Sequence, residues 1–348
     1  MTTPKPTAES PRMRVATITV GTNESRWLEP CFATLLDSDV PGIDLTVWYV
    51  DNDSHDGSTA FVKDRFPEVR VIQNESNVGF ARANNIGMRA ALAEGADYVF
   101  LVNPDTQTPK SLVRDLAEFM ETWTDYGVVG PMQYEYDESG STALGSAYND
   151  WSKSALRWGE QHAFAGDWPN HPSPASPPEG RAPNTLEHAY VQGSAFFVRA
   201  ALLRTVGPLD EVFHTYYEET DLCRRARWAG WRVALLLDVG IQHFGGGGTA
   251  GSSYRRIQMR RNRYYYLLTD IDWRPLPMLR LASRWLRDDL RGRGVGGVTT
   301  WWRGTWETAR AVCWLVRRAA LIQARRRAHR RLALHTDSRV RLRARSER

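Results

Sequence analysis

The 348-residue chain predicts an α/β protein with a mostly parallel central sheet flanked by helices and a helical appendage at its C-terminal end. Three observations carry this expectation. Between residues 15 and 102, short β-branched and aromatic runs alternate with segments of helical spacing, the pattern of crossover-linked parallel strands. Polar and acidic clusters stand at the ends of those runs, where an open sheet of this kind gathers ligand groups. Beyond residue 254 the strand pattern stops, and arginine and tryptophan recur at helical spacing instead.

In order along the chain, residues 1–14 are polar and proline-containing and lack an apolar core segment, so they are expected to be a disordered lead-in and not a signal peptide. The β-branched run 15–20 is a strand, and Trp27, Leu28, Cys31 and Leu35 then fall at helical spacing. Run 45–50 is a second strand that ends at Asp51. A helix over 58–66, a strand over 69–72, a helix over 80–94 and a buried strand over 98–102 follow. Thr108 and Pro109 read as a hydroxyl cap with proline at the first helical position, opening a helix to Trp123. Residues 134–189 loosen around Trp168-Pro169 and Pro177-Pro178 and read as a long surface insertion, either a functional lid or simply mobile. Strand 191–198, helix 218–229 and strand 232–239 complete a domain over 15–254, and 255–348 forms a basic helical region. There is no internal repeat.

A hydrophobic content of 42% and a charged content of 24% exclude wholesale disorder without selecting a function. The net charge of +5 conceals a split. From Arg255 onward there are 25 arginines, no lysine and seven acids, a balance of +18, which leaves −13 on the remainder. Such asymmetry marks a partner surface. Cys31, Cys223 and Cys313 lie far apart with no Cys-x-x-Cys, which argues against a zinc site or a disulfide framework and fits a reducing cytosol. No run of 18 apolar residues occurs, so no spanning helix is expected.

Four clusters carry chemistry. Asp51, Asp53 and Asp56 with their Asn, Ser and Gly neighbours make a good local Asx-type turn in any protein. Their place directly after a buried strand, with a second acidic strand end at Asp105, points further, to a nucleotide pocket. The stretch from Asn77 through Gly79 to Arg82 offers amides and one cation at a helix entry, where free N–H groups and the helix dipole favour phosphate. As an ordinary helix entry it would leave Arg82 on a solvated face. Asn103-Pro104-Asp105 terminates the buried strand. Glu218, Glu219 and Asp221 open a helix, where acids are favourable through the dipole alone.

In this order the clusters resemble the inverting glycosyltransferases of family 2, and rhamnosyltransferase-like members in particular. The resemblance covers residues 15–244 and is most specific in Gly207-Pro208-Leu209-Asp210-Glu211-Val212-Phe213 and in the stretch from Cys223 to Trp231. It implies the GT-A nucleotide-diphospho-sugar transferase fold and transfer from a UDP- or dTDP-sugar to an acceptor hydroxyl, in synthesis of a cell-surface polysaccharide or glycolipid. Asp51 would then accept from the base, with Asp53 near the ribose and Asn103 at the sugar nucleotide. Asp105 occupies the place of the family's Asp-x-Asp metal ligand, and Asn103 replaces the first carboxylate. A divalent cation, Mg²⁺ or Mn²⁺, would stabilise the departing diphosphate there. Glu219 aligns with the catalytic aspartate as the base that deprotonates the acceptor, with Glu218 and Asp221 supporting it. His243 approaches the metal or the diphosphate, and the glycine run 245–251 suits a loop over the donor. Thr22-Asn23 replaces the aromatic-asparagine pair frequent at the first strand end.

The C-terminal Trp and Arg residues suit either an anionic membrane surface receiving a lipid-linked acceptor or a helix pair packing on the catalytic domain. No nucleic-acid motif is present. The expected location is therefore cytoplasmic, and peripheral on the inner face of the membrane under the first of these two readings. Two other enzyme classes fit less well. A sugar-phosphate nucleotidyltransferase needs a basic glycine-rich loop after the first strand, and Gly21-Thr22-Asn23-Glu24-Ser25 is not one. A dinucleotide-binding enzyme needs Gly-x-Gly-x-x-Gly there. The non-enzymatic alternative is a nucleotide-sugar-binding or docking protein whose site has decayed at Asn103 and Glu219.

Overall fold

Side-chain alternation along the first strand sets the layout: Val15 enters one apolar core and Ala16, Ile18 and Val20 the other. The protein is described by a computed structural model over residues 12–135, 182–188, 190–244, 252–273, 275–291 and 300–346. The lead-in up to residue 11, residues 136–181 of the expected insertion and the glycine run 245–251 lie outside the described residues.

The order is β1 (Met13–Gly21), α1 (Ser25–Leu36), β2 (Ile43–Asp51), α2 (Ser58–Arg65), β3 (Arg70–Gln73), α3 (Phe80–Ala93), β4 (Tyr98–Val102), β5 (Thr106–Gln107) and α4 (Leu112–Thr122). There follow β6 (Tyr126–Glu135), β7 (Thr185–Glu187), β8 (Ala195–Arg199), α5 (Ala200–Val206), a 3-10 turn (Glu211–Phe213), α6 (Glu218–Trp228) and β9 (Arg232–His243). The helices α7 (Ser253–Thr269), α8 (Pro275–Leu290), α9 (Trp301–Val316) and α10 (Ala319–Ser346) end the chain.

One sheet runs β3-β2-β1-β4-β8-β6-β9-β5, with β7 on β9. Its first half, β3-β2-β1-β4, is parallel as the alternation predicts. Past β4 the directions mix: β8 is antiparallel to β4 and β6, while β6 and β9 are parallel. Leu28, Phe32 and Leu35 of α1, Val62 of α2 and Leu116 and Met120 of α4 fill the core on one face. Met88 of α3, Leu202 of α5 and Leu222 and Ala226 of α6 fill the other. The α/β layering and the C-terminal helical region therefore match expectation. The start of α4 does not. The Thr108 N–H donates to Thr34 Oγ1 (3.0 Å) and the Leu112 N–H to the Pro109 carbonyl (3.0 Å), making a turn before the helix. The pairing of Thr106 and Gln107 with β9 holds the chain at the sheet edge until there.

Helix α7 is buried along most of its length, and several of its arginines are in the interior. Arg256 and Arg260 pair with Glu307 (3.0 and 2.7 Å), while Arg260 and Arg263 pair with Asp289 (3.3 and 2.8 Å). This chain of charges ties α7 to α9 and α8. Trp285 and Trp314 pack inward beside Tyr264–Tyr266, whereas Trp301, Trp302 and Trp306 are exposed.

Candidate functional site

The C-terminal ends of β1, β2, β4 and β9 meet the start of α6 along one edge of the sheet, and this edge has two halves. In the first, Asp51 closes β2 and is fully buried. The Ser54 N–H donates to its Oδ1 (3.1 Å) and the Thr59 hydroxyl to its Oδ2, so the carboxylate holds its own loop. Asp53 projects half-buried from that loop at φ 73°, with His55 Nε2 3.6 Å away. Asn52, unremarked by its chemistry in the sequence, is the joint of this half. Its Nδ2 donates to Asn77 Oδ1 (3.0 Å), and its Oδ1 accepts from Asn74 Nδ2 (3.1 Å) and from the Val78 N–H (3.0 Å).

The Gly79 N–H donates to Asn77 Oδ1 (3.0 Å) and the Ala81 N–H to the His214 carbonyl (3.0 Å). The amides of 78, 79 and 81, which a phosphate cradle at the α3 entry would use, are thus satisfied within the chain. Gly79 has φ 87°, and a Cβ there would stand 1.9 Å from His214 Nδ1. Only glycine fits. Arg82 is exposed on α3 with its Nε 3.8 Å from Glu211, a weak surface pair.

The second half is assembled around Asp105 and His243. His243 Nε2 lies 3.3 Å from Asp105 Oδ1, and both side chains are largely buried. His243 Nδ1 is 3.1 Å from Gln133 Oε1, which also accepts from Ser194 Oγ (3.0 Å). The Asn103 N–H donates to the Ser194 carbonyl (3.0 Å), so Asn103, Asp105, His243 and β8 form one unit. Glu24, after β1, feels the same negative field: burial, reinforced by Asp105 and Asp56 and opposed by Arg26, pushes its carboxyl up to about 7.

Glu219 faces the segment before β8, with a Cβ on Gly193 3.6 Å from its Cγ. Its Oε2 is buried without a hydrogen-bond partner, as is that of Glu218. Burial pushes the Glu219 carboxyl up to about 7. Glu218 is likewise raised well above the usual carboxylate value, first by burial and then by the Glu219 charge. Asp221 behaves oppositely: although burial favours its neutral form, Arg225 and Arg224 hold it well below the usual carboxylate range. Arg225 reaches on to the carbonyls of Val206 and Pro208 (both 2.8 Å) and Arg224 to those of α7 at Tyr266 (2.6 Å), so Asp221 is a structural tie.

The segment ahead of Glu218 is strained. His214, Tyr216 and Tyr217 all have positive φ, at 65°, 69° and 77°, a conformation that costs of order 1 kcal/mol or more per non-glycine residue. Asn262 of α7, fully buried, holds it: its Nδ2 donates to the carbonyls of Phe213, Thr215 and Tyr216 (2.9, 2.7 and 2.7 Å). Arg261 donates to Phe213 as well (2.6 Å). Nothing in the sequence marks Asn262 apart from other polar residues of a helix.

As a donor set, Asp105 and His243 offer one oxygen and one nitrogen. Among the described residues no group of three His, Cys, Asp or Glu could hold a metal ion. A six-coordinate Mg²⁺ or Mn²⁺ held by this pair would take its other ligands from a diphosphate and water, and Mn²⁺ accepts imidazole. The pair fits a cation shared with a bound diphosphate.

The sequence profile of glycosyl transferase family 2 matches residues 17–200. The chain is 28% identical to the N-acetylglucosaminyl-diphospho-decaprenol L-rhamnosyltransferase of Mycobacterium tuberculosis over 65% of its own length and 75% of that protein. It is 23% identical to the dTDP-rhamnosyl transferase RfbF of Shigella flexneri, over 54% of this chain and 57% of that one. The mannosyltransferase PcManGT of Pyrobaculum calidifontis, solved with GDP-Man and Mn²⁺, shares the fold with a TM-score of 0.53 at 17% identity, covering 97% of this chain and 86% of that one.

Proposed function

The chain belongs to glycosyl transferase family 2, and on that premise we propose that it is an inverting enzyme moving a sugar from a UDP- or dTDP-sugar to a hydroxyl of a carbohydrate or lipid-linked acceptor. Its rhamnosyltransferase relatives favour a deoxyhexose donor. The observation that carries the reading is Glu219: a half-buried residue whose Oε2 is enclosed and unpartnered and whose carboxyl is raised to about 7, at the edge that also holds Asp105 and His243. A base with this affinity for protons is matched to removing the proton of an alcohol at neutral pH.

The acceptor oxygen attacks the anomeric carbon, its proton passes to Glu219, and the bond from that carbon to the diphosphate breaks on the opposite side. Asp105 and His243 would hold Mg²⁺ or Mn²⁺, which when bound would supply positive charge for the leaving diphosphate. Asp53 and the walls built by Asp51, Asn52, Asn77 and Gly79 receive the nucleoside, and Asn103 joins that half to the metal ligands. Arg82 contributes if the donor draws it from Glu211. Glu218 stands beside Glu219 as its supporting neighbour, and Asp221 fixes the helix that carries both.

The test is Glu219→Gln, with donor binding by calorimetry and transfer measured side by side. Turnover is expected to fall by roughly 10²–10⁴-fold with nucleotide affinity within a few fold of the parent. A variant that keeps full turnover would remove Glu219 from the role of base.

A further inference from the structure

Two of the C-terminal helices turn apolar stripes outward. On α9, Trp302, Trp306, Ala309, Cys313 and Val316 recur at alternating intervals of four and three, all exposed, with Trp302 at 76% and Val316 at 70% of full exposure. Arg303, Arg310 and Arg317 follow at sevenfold spacing, one position on from Trp302, Ala309 and Val316, and Arg310 lies over the Trp306 ring at 4.7 Å. On α8 the pattern repeats: Leu276, Leu279, Leu286 and Leu290 are exposed, and Arg280, Arg284, Arg287 and Arg291 run beside them. Two of the three acids of these helices, Asp289 and Glu307, are fully buried against the arginines of α7. Asp288 is half-buried and is the one acid left beside those four arginines, so the balance outside is apolar and cationic.

We propose that the exposed faces of α8 and α9 dock the protein on an anionic phospholipid bilayer, with the tryptophan and leucine stripes in the interface and the flanking arginines among the headgroups. A helix with a cationic flank and an aromatic-aliphatic face lies in that plane, and an apolar patch of this kind on a protein surface marks an interaction site. Charge selects the occupant. A second copy would meet the patch by twofold symmetry and set arginine rows against each other, whereas an anionic surface neutralises them. Among the described residues no helix is long and apolar enough to cross a membrane, so the contact is peripheral in kind. The inference rests on the reading of a lipid-linked acceptor only for its purpose, because docking itself requires neither donor nor turnover.

The experiment is flotation of the full chain with vesicles of phosphatidylcholine alone and of phosphatidylcholine mixed with phosphatidylglycerol, at low and high salt, alongside sedimentation of the protein by itself. Binding to the anionic vesicles, weakened by salt, is expected. Each basic group near such a surface contributes about fivefold in partitioning. Arg303→Gln, Arg310→Gln and Arg317→Gln together should therefore lower it by on the order of a hundredfold. Trp302→Ala with Trp306→Ala should lower it as well, with circular dichroism and transfer to a soluble acceptor unchanged. Absence of binding to anionic vesicles, binding indifferent to both sets of substitutions, or a dimer that Trp302→Ala with Trp306→Ala dissociates would overturn the proposal. Failure here leaves the transferase reading intact, and failure of Glu219→Gln to impair transfer leaves the docking intact.

Discussion

At Glu219 the protein keeps a carboxyl out of water without giving its Oε2 a donor, and the consequence is readable in pH. Because its proton is held up to about 7, the base form is scarce in mild acid, and kcat/KM is expected to rise about tenfold per pH unit up to a limb near 7. Stability moves the other way. The folded chain retains protons on Glu219 and Glu218 that the unfolded chain releases above the ordinary value of 4.5. Unfolding free energy from this pair therefore declines as pH climbs from 4.5 towards 7. Glu219→Gln should flatten the rate profile by removing activity and make the stability profile shallower by removing one of the two titrations, leaving that of Glu218. A thermal-melt series across this range, run beside the rate profile, checks the pair of outcomes.

Among the elements, α7 governs the approach to the base. One amide of Asn262 serves three carbonyls of a segment in which three side chains sit at positive φ. Asn262→Ala leaves buried carbonyls without a donor, at a cost of about 1–3 kcal/mol each where no water replaces it. It is expected to lower kcat more than it raises the donor KM, because the nucleoside half is built on other elements. Steady-state kinetics against a melting curve separates this from global destabilisation. The strand ends were legible in the sequence because burial makes β1, β2 and β4 apolar and the residues just past them abruptly polar. This device was not: His214, Tyr216 and Tyr217 carry no composition cue for a left-handed backbone, and their partner lies 46–49 residues away. The helix entry at Asn77–Arg82 misled for a related reason, since its amides look available until Asn52, Asn77 and His214 are seen to occupy them.

For the whole molecule, the C-terminal helices are continuous with the catalytic core. Arg224, fully buried, is held by Asp221 on one side and by the Tyr266 carbonyl, Thr269 and Asp270 on the other. Phe213 and Tyr217 share an apolar cluster with Tyr264–Tyr266, Leu315 and Ile322. Truncation after residue 254 is expected to leave Arg224 half-paired and that cluster open, a loss of at least the 3–5 kcal/mol that follows breaking a buried pair. Calorimetry of the full chain should show one cooperative transition, and the truncated chain should be insoluble or lack it. The charge split of the sequence announced a distinct C-terminal region but not this continuity, because an arginine that pairs internally and one that faces solvent look the same in a composition.

The topology also orders events in time. β1 to β4 pair among themselves within the first 102 residues, so the nucleoside half has its sheet early. β6 meets β8 some seventy residues later and completes its pairing only with β9, about a hundred residues later, and the segment bearing Glu218 and Glu219 waits longer still for Asn262. In a chain that emerges from the ribosome N-terminus first, the half proposed to hold a donor is in place before the half proposed to act on it, and on that reading competence for transfer arrives only with the last third of the polypeptide.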